Sequence, residues 1–202
     1  MCPMAAAPSH ELLAAVERAL EHHGLDAVTL EHIATEAGIN RVTLYRRGHT
    51  REALLAEVAL AASIEFRDAA LPALTHQGTG AERLDLLIEA LLDLADRHLA
   101  LVSGLYDGPT AIFHLGIEDQ AVLTRFEYTE PFGRILADGV ADGTLTSVDP
   151  SEDAEVLFNL IGWTYVHLRR SHGWSPARAR PAVKRQLCLG NRSGGSPVLG
   201  AR

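Results

Sequence analysis

The sequence predicts an all-α protein in which a small N-terminal headpiece of three helices, the last two forming a helix-turn-helix, is joined by a long helix to a larger helical body. Three observations predict it. Apolar residues recur at three- and four-residue spacing along nearly the whole chain. Thr, Asn and Asp precede these stretches and Gly follows several of them, as helix caps and stops do. No stretch alternates apolar and polar residues as a half-buried strand would. The expected limits are residues 1–50 for the headpiece, 51–189 for the body and 190–202 for a Gly- and Ser-rich tail without periodicity, which is expected to be disordered.

The first helix is expected over His10 to His23, where Leu12, Leu13, Val16, Ala19 and Leu20 form one stripe and Gly24 supplies the stop. Thr29 can cap a short second helix that carries Leu30, Ile33, Ala34 and Ala37 and ends at Gly38. Asn40 can cap a third. The segment Ala37-Gly38-Ile39-Asn40 is then a tight turn between two short helices, with small Ala34 and Ala37 permitting close approach. Thr50 caps a long fourth helix with Leu54, Leu55, Val58, Ala61 and Ala62 inward, running to about Leu71-Pro72.

In the body, a fifth helix is expected from after Gly80 through Leu84, Leu87, Ile88, Leu91, Leu92, Ala95 and Leu99, ended by Gly104 and Gly108-Pro109. A short apolar piece, Thr110 to Leu115, precedes a helix from about Glu118 to Asp142 in which Pro131 should give a kink. Asp149-Pro150-Ser151 starts a strongly apolar helix bearing Leu157, Phe158, Ile161 and Tyr165, and a last helix is expected from about Pro176 to Leu189.

With 47% hydrophobic and 22% charged residues, the composition excludes an intrinsically disordered chain. No stretch approaches the roughly 18 apolar residues of a membrane span, and Met1 to Pro8 lacks the basic start of a signal peptide, so a cytoplasmic protein is expected. Cys2 and Cys188 stand at opposite ends of the chain and suggest neither a disulfide framework nor a zinc site.

The net charge of −8 is segregated. Residues 37–51 hold Arg41, Arg46, Arg47 and Arg51 and no acid; Glu52 to Glu155 hold 20 acids against five arginines; residues 156–202 hold eight basic residues and no acid. A basic window at one end of an acidic body is what a nucleic-acid-contacting edge requires, because phosphates attract the edge and repel the body. A solvated helix face is the alternative reading of the window alone.

The stretch Thr29-Leu30-Glu31-His32-Ile33-Ala34-Thr35-Glu36-Ala37-Gly38-Ile39, then Thr43-Leu44-Tyr45-Arg46-Arg47, then Thr50-Arg51-Glu52-Ala53-Leu54 resembles the DNA-binding headpiece of the tetracycline-repressor (TetR) family over about residues 10–55. The resemblance implies a headpiece that binds a palindromic double-stranded DNA operator and a ligand-binding and dimerisation body whose small-molecule effector releases it: a homodimeric repressor. The chain departs from that family at Arg47-Gly48, where an aromatic is usual, and at His49-Thr50-Arg51, where Pro-x-Lys or Ser-Lys is common. Gly48 is therefore expected to loosen the end of the third helix through lost burial.

Without the resemblance, a helix beginning after Asn40 presents Arg41, Val42, Thr43, Tyr45 and Arg46 to a major groove. Arg41 and Thr43 are the expected base readers, by guanine O6/N7 and thymine methyl contacts. Thr29, Tyr45, Arg47 and Arg51 are expected to hold phosphates, with capping for Thr29 and packing for Tyr45 as their alternatives. Leu44 faces the core.

The last two helices are expected to pair with their two-fold mates, burying Leu157, Phe158 and Ile161, with Gly162 allowing close approach. Candidate ligand contacts are polar or aromatic residues on apolar faces: Tyr106, Phe113, His114, Phe126, Tyr128, Asn159, Trp163 and His167. Plain core packing is the commoner reason for such residues. Adjacent His22 and His23 diverge around a helix, and His167 and His172 are off a shared face, so no metal is expected. No nucleophile elbow, zinc-protease helix or phosphate loop is present, so no catalytic residue and no cofactor are expected. The competing readings are a DNA-binding regulator without a ligand and a helical hydrolase or lyase using the many His and Asp residues, which turnover destroyed by changing His114 or His167 would support.

Overall fold

The computed structural model describes residues 7–107 and 125–191, and every regular element among them is a helix. In order these are α1 (His10–Ala27), α2 (Leu30–Glu36), α3 (Arg41–Arg46), α4 (Arg51–Thr75), α5 (Gly80–Arg97), α6 (Leu99–Asp107), α7 (Arg125–Ala141), α8 (Pro150–Arg170) and α9 (Pro176–Asn191). They fall into two compact units. One holds the described residues up to Glu65 together with 94–107; the other holds 66–93 and 125–191, so α4 and α5 contribute to both.

In the first unit the stripe of α1 is buried as its spacing predicts, and Ser9 caps the helix by accepting from the Leu12 amide over 3.3 Å. Regular geometry ends at Gly24 (φ 74°, ψ 166°), and a further turn carries the chain to Ala27. Residues 1–50 do not close this core by themselves. Leu12, Val16, Leu20, Ile33 and Leu44 share one buried cluster with Leu54, Leu55 and Val58 of α4 and with Ala100 and Leu101 of α6. A short three-helix headpiece has too little apolar surface to bury alone, and the neighbouring helices supply the rest.

The expected fifth helix is interrupted at His98. The imidazole there lies between two carboxylates: Nε2 meets Glu65 Oε2 of α4 at 2.7 Å, and Nδ1 lies 3.0 Å from Glu17 Oε1 of α1 without the alignment of a hydrogen bond. Arg97 also pairs with Glu65, at 2.6 Å. This polar link joins residues 81 and 33 positions apart, which hydrophobic periodicity cannot show. Helix α4 runs past Pro72 to Thr75, because a proline in the last turn removes only one bond from the ladder.

In the second unit, Leu84, Leu87, Ile88, Leu91 and Leu92 of α5, Phe132, Ile135 and Leu136 of α7 and Ala179, Val183 and Leu187 of α9 are buried. Asp149 caps α8, its Oδ1 accepting from the amides of Ser151 and Glu152 at 2.9 and 3.2 Å. Asp142 accepts from the Gly80 amide at 2.6 Å, a tie across 62 residues. Two cations of α9 rest on the acidic face of α5: Lys184 reaches Asp85 at 2.9 Å and Glu89 at 2.5 Å, and Arg180 reaches Asp93 at 2.5 Å.

The expected pairing face of α8 requires correction. Leu157, Phe158, Ile161 and Gly162 are buried within the single chain. The large apolar residues that α8 leaves exposed are Val156, Leu160 and Trp163, at i, i+4 and i+7. A helix with apolar residues on two faces leaves the choice of inner face to its neighbours, which sequence spacing does not specify. Helix α9 reaches Asn191, two residues beyond the expected end. The expected piece at 110–115, the first turns of the helix expected from Glu118 and the tail beyond 191 lie outside the described residues.

Candidate nucleic-acid interface

The helix-turn-helix is built from two short helices that end in the same way. In α2, capped by Thr29 Oγ1 on the His32 amide (3.2 Å), the chain leaves through Gly38 at φ 65°, with Gly38 N donating to Thr35 O (3.1 Å) and Ile39 N to Ala34 O (3.0 Å). In α3, capped by Asn40 Oδ1 on the Val42 amide (2.8 Å), it leaves through Gly48 at φ 79°, with Gly48 N donating to Tyr45 O (3.0 Å) and His49 N to Leu44 O (3.1 Å). Both are Schellman closures, in which the amide of a left-handed residue and that of the residue after it satisfy otherwise orphaned carbonyls.

The expectation that Gly48 loosens the end of α3 is therefore corrected. Glycine is the residue this left-handed cap favours, and the position after it is filled by His49, whose side chain is 5% exposed. Burial holds the His49 imidazole below its ordinary pKa of 6.5, the Arg47 charge pushes the same way, and Glu57 opposes them. The fall from ordinary value marks an imidazole kept neutral in the packing position after the cap. The signal was readable in the sequence as Leu44 followed four residues later by Gly48.

On the outer side of α3, Val42 is 60% and Tyr45 76% exposed, Arg41, Arg46 and Arg47 are exposed, Thr43 is half-buried and Leu44 is fully buried. Among the described residues no carboxylate pairs with Arg41, Arg46 or Arg47. Their charges stand in contrast to Arg18, which is paired with Glu36 at 3.3 Å. Glu36 also receives His22 Nδ1 at 2.8 Å, and these bonds hold its carboxyl below the usual range. Thus α1 and α2 are tied by a polar link that the sequence reading missed.

Arg51 sits apart from the other basic residues of the window. Its Nε donates to Val28 O at 2.6 Å and its Nη2 to Leu25 O at 2.5 Å, while Nη1 lies 3.4 Å from Glu52. The expected phosphate role is not the one these bonds describe: the guanidinium is committed to backbone carbonyls at the end of α1.

The histidine geometry also differs from expectation. The His23 ring stacks on His32 at 3.7 Å and 12°, and His22 approaches His23 edge-on at 6.3 Å, because α2 folds back on α1. The His167 and His172 rings lie 5.0 Å apart because the chain turns after α8. No group of three or more metal-ligating side chains converges among the described residues.

Of the eight candidate ligand contacts, the four whose side chains are described do not form one site. Phe113 and His114, and the side chains of Tyr106 and Phe126, lie outside the described residues. Tyr128 stacks between Phe66 (5.2 Å) and Phe158 (5.7 Å) in the core. Asn159 donates to the Glu155 carbonyl one turn back at 2.7 Å. Trp163 is 48% exposed and His167 is exposed, both on the outer side of α8. A cleft of about 540 Å³ lies elsewhere, between α7 and the start of α8, lined by Thr129, Glu130, Gly133, Arg134, Asp149, Pro150, Ser151 and Ala154.

Residues 12–58 match the family described as bacterial regulatory proteins, tetR family. An HTH-type transcriptional regulator of Mycobacterium tuberculosis, itself uncharacterized, is 41% identical over 78 residues, which are 38% of this chain and 35% of that protein, and a Mycobacterium bovis protein matches equally. The matched stretch thus spans about a third of those relatives. The TetR-family regulator PfmR of Thermus thermophilus superposes with a TM-score of 0.71 at 21% identity, covering 94% of this chain and all of that one. A TetR/AcrR-family regulator of Thermobifida fusca superposes at 0.66 with 22% identity over 91% of this chain and 97% of its own. These matches are regulators rather than enzymes, no described helix is long and apolar enough to cross a membrane, and both headpiece and fold agree. Over residues 12–58 the chain carries the headpiece of the tetR family of bacterial regulatory proteins, and its described helices share the fold of TetR-family structures.

Proposed function

We propose that this protein is a dimeric, ligand-responsive transcriptional regulator, a repressor that holds a palindromic operator through α3 and leaves it when a small molecule binds the body. The observation that carries the reading is the outer side of α3: three arginines that pair with no carboxylate among the described residues, beside solvent-facing Val42 and Tyr45, on a helix closed at both ends. Exposed apolar side chains between uncompensated cations are costly in a free protein and suited to a groove with methyls and phosphates. In this reading Arg41 and Thr43 contact bases, with Val42 and Arg46 beside them. Thr29, Tyr45 and Arg47 contact phosphates, which set register.

Two copies are needed because one short helix covers too few base pairs for a specific site, and two reach half-sites about one turn apart. The stripe Val156, Leu160 and Trp163 is the surface we assign to the pairing. For the effector we favour the cleft of about 540 Å³ between α7 and α8, a size suited to a small molecule. Releasing the operator 100-fold requires a ligand that discriminates the two states by about 2.7 kcal/mol.

Selection of binding sites from random duplex DNA at controlled salt tests the reading. A palindrome with half-sites about one turn apart is the expected outcome. Retention that is salt-sensitive but blind to sequence overturns it, and a selected palindrome from which no metabolite pool releases the protein favours a regulator without a ligand.

A further inference from the structure

Resting on the helix-turn-helix reading above, we propose that Arg51 is the buckle of the DNA-binding headpiece: a positioning residue that locks the two ends of the helix-turn-helix together rather than a contact to DNA. The geometry is specific. Arg51 opens α4, and its Nε and Nη2 donate to the carbonyls of Val28 and Leu25 at 2.6 and 2.5 Å. Those carbonyls belong to the turn that leads from α1 into α2. The Val28 bond spans 23 residues, and the closed segment contains all of α2 and α3.

Leu25 and Val28 are themselves buried, so their carbonyls stand at the edge of the core, where an unmet acceptor is expensive. The guanidinium meets both with one planar fork, and its third nitrogen lies 3.4 Å from Glu52. Its side chain is 29% exposed, so the charge is largely engaged before any DNA arrives. Arg41, Arg46 and Arg47 have no such partners among the described residues. Closing a segment of this length by one charged side chain lowers the freedom of everything inside it, including the side chains of α3 that read bases.

A lysine would keep the charge and lose the fork, since an ammonium is a point charge without the planar donor geometry. The buckle therefore separates from a phosphate contact by experiment. R51K and R51M are compared with wild type on the palindrome recovered by selection, and amide exchange over residues 24–33 is followed in the DNA-free proteins. Both variants are expected to lose affinity by at least about tenfold and to speed that exchange, with the slope of log K against log salt unchanged. Retention of affinity by R51K together with a slope smaller by about one in R51M overturns the proposal, because that is the signature of a phosphate contact.

A measurement on the unmodified protein guards against variants that fold poorly. The Arg51 Nε–H resonance is expected to exchange slowly in the free protein and to keep its shift when DNA is added. Fast exchange that slows only on adding DNA overturns the buckle. If no palindrome is selected, the regulatory reading fails, while the exchange measurements on the free protein still decide whether the fork closes the headpiece.

Discussion

The amide of His49 donates to the Leu44 carbonyl over 3.1 Å, and that bond joins the end of the recognition helix to the buried imidazole that follows it. Between the two lies Gly48 at φ 79°. A side chain at this position would have to adopt the left-handed region, at about 1–2 kcal/mol for an L-residue. Gly48→Ala is therefore expected to lower stability by about that amount, read as a lower midpoint in urea with an unchanged slope. An unchanged or raised midpoint would show that the cap tolerates a different closure.

His49 gives a pH dependence of definite sign. Its folded-state pKa lies below the ordinary 6.5, through burial first and the Arg47 charge second. As pH falls, the unfolded chain takes up this proton before the folded one does, so folding loses ground. The contribution is complete above the unfolded value and is lost as pH falls from about 6.5 through the folded value. His49→Phe keeps an aromatic volume without the titration. The difference in unfolding free energy between wild type and this variant, measured from pH 8 to pH 5, should move in the variant's favour on acidification. A difference independent of pH counts against a neutral buried imidazole.

What the sequence made legible follows a physical division. Caps, stops and single buried stripes are local: Thr29, Gly38, Asn40 and the stripe of α1 behave as spacing and propensity predict. Links between distant residues are not local, and Arg51 with Leu25 and Val28, or His98 with Glu17 and Glu65, leave no periodic trace. The face of α8 was misassigned because a helix apolar on two sides needs its neighbours to choose between them. The outward side of α3 was legible because exposure on a six-residue helix follows from which residue, here Leu44, goes inward. Candidate ligand contacts were not, because an aromatic such as Tyr128 has the same pattern in a core as in a pocket.

Two arginines of the window should separate base reading from phosphate holding. Arg41→Ala is expected to relax preference at one base pair, costing about 1–3 kcal/mol on the selected site and little on sites altered at that pair. Arg47→Ala should weaken every sequence alike and reduce the salt slope by about one. The check is affinity for a set of single-substitution operators at several salt concentrations. Equal losses on every operator for both variants would end the division of roles.

The ion pairs between α5 and α9 should show their charge in salt rather than in a large loss. Burial disfavours the Lys184 cation, but its hydrogen bonds to Asp85 and Glu89 outweigh that and raise its pKa. Lys184→Met leaves the two carboxylates facing each other with less compensation. Because the partners are largely solvated, the cost is about 1 kcal/mol or less at low ionic strength. Raising salt should narrow the gap in melting temperature between variant and wild type. A gap that stays constant with salt would mean that the lysine stem packs rather than pairs.

Leu160 tests the pairing of two copies. It stands half-exposed between Val156 and Trp163 on α8, whereas Leu157, Phe158 and Ile161 already fill the core of the single chain. A carboxylate at residue 160 should therefore leave the chain folded and place two like charges in the proposed two-fold interface, where an unpaired buried charge costs several kcal/mol. Leu160→Glu is expected to sediment as a monomer with an unchanged helical spectrum and to lose the palindromic site, while Ile161→Glu should unfold the body. If the proposed pairing holds, its loss is expected to lower operator affinity far more than any single α3 substitution, because each headpiece alone would cover too little DNA. A Leu160→Glu protein that remains dimeric would move the pairing surface away from α8's exposed stripe.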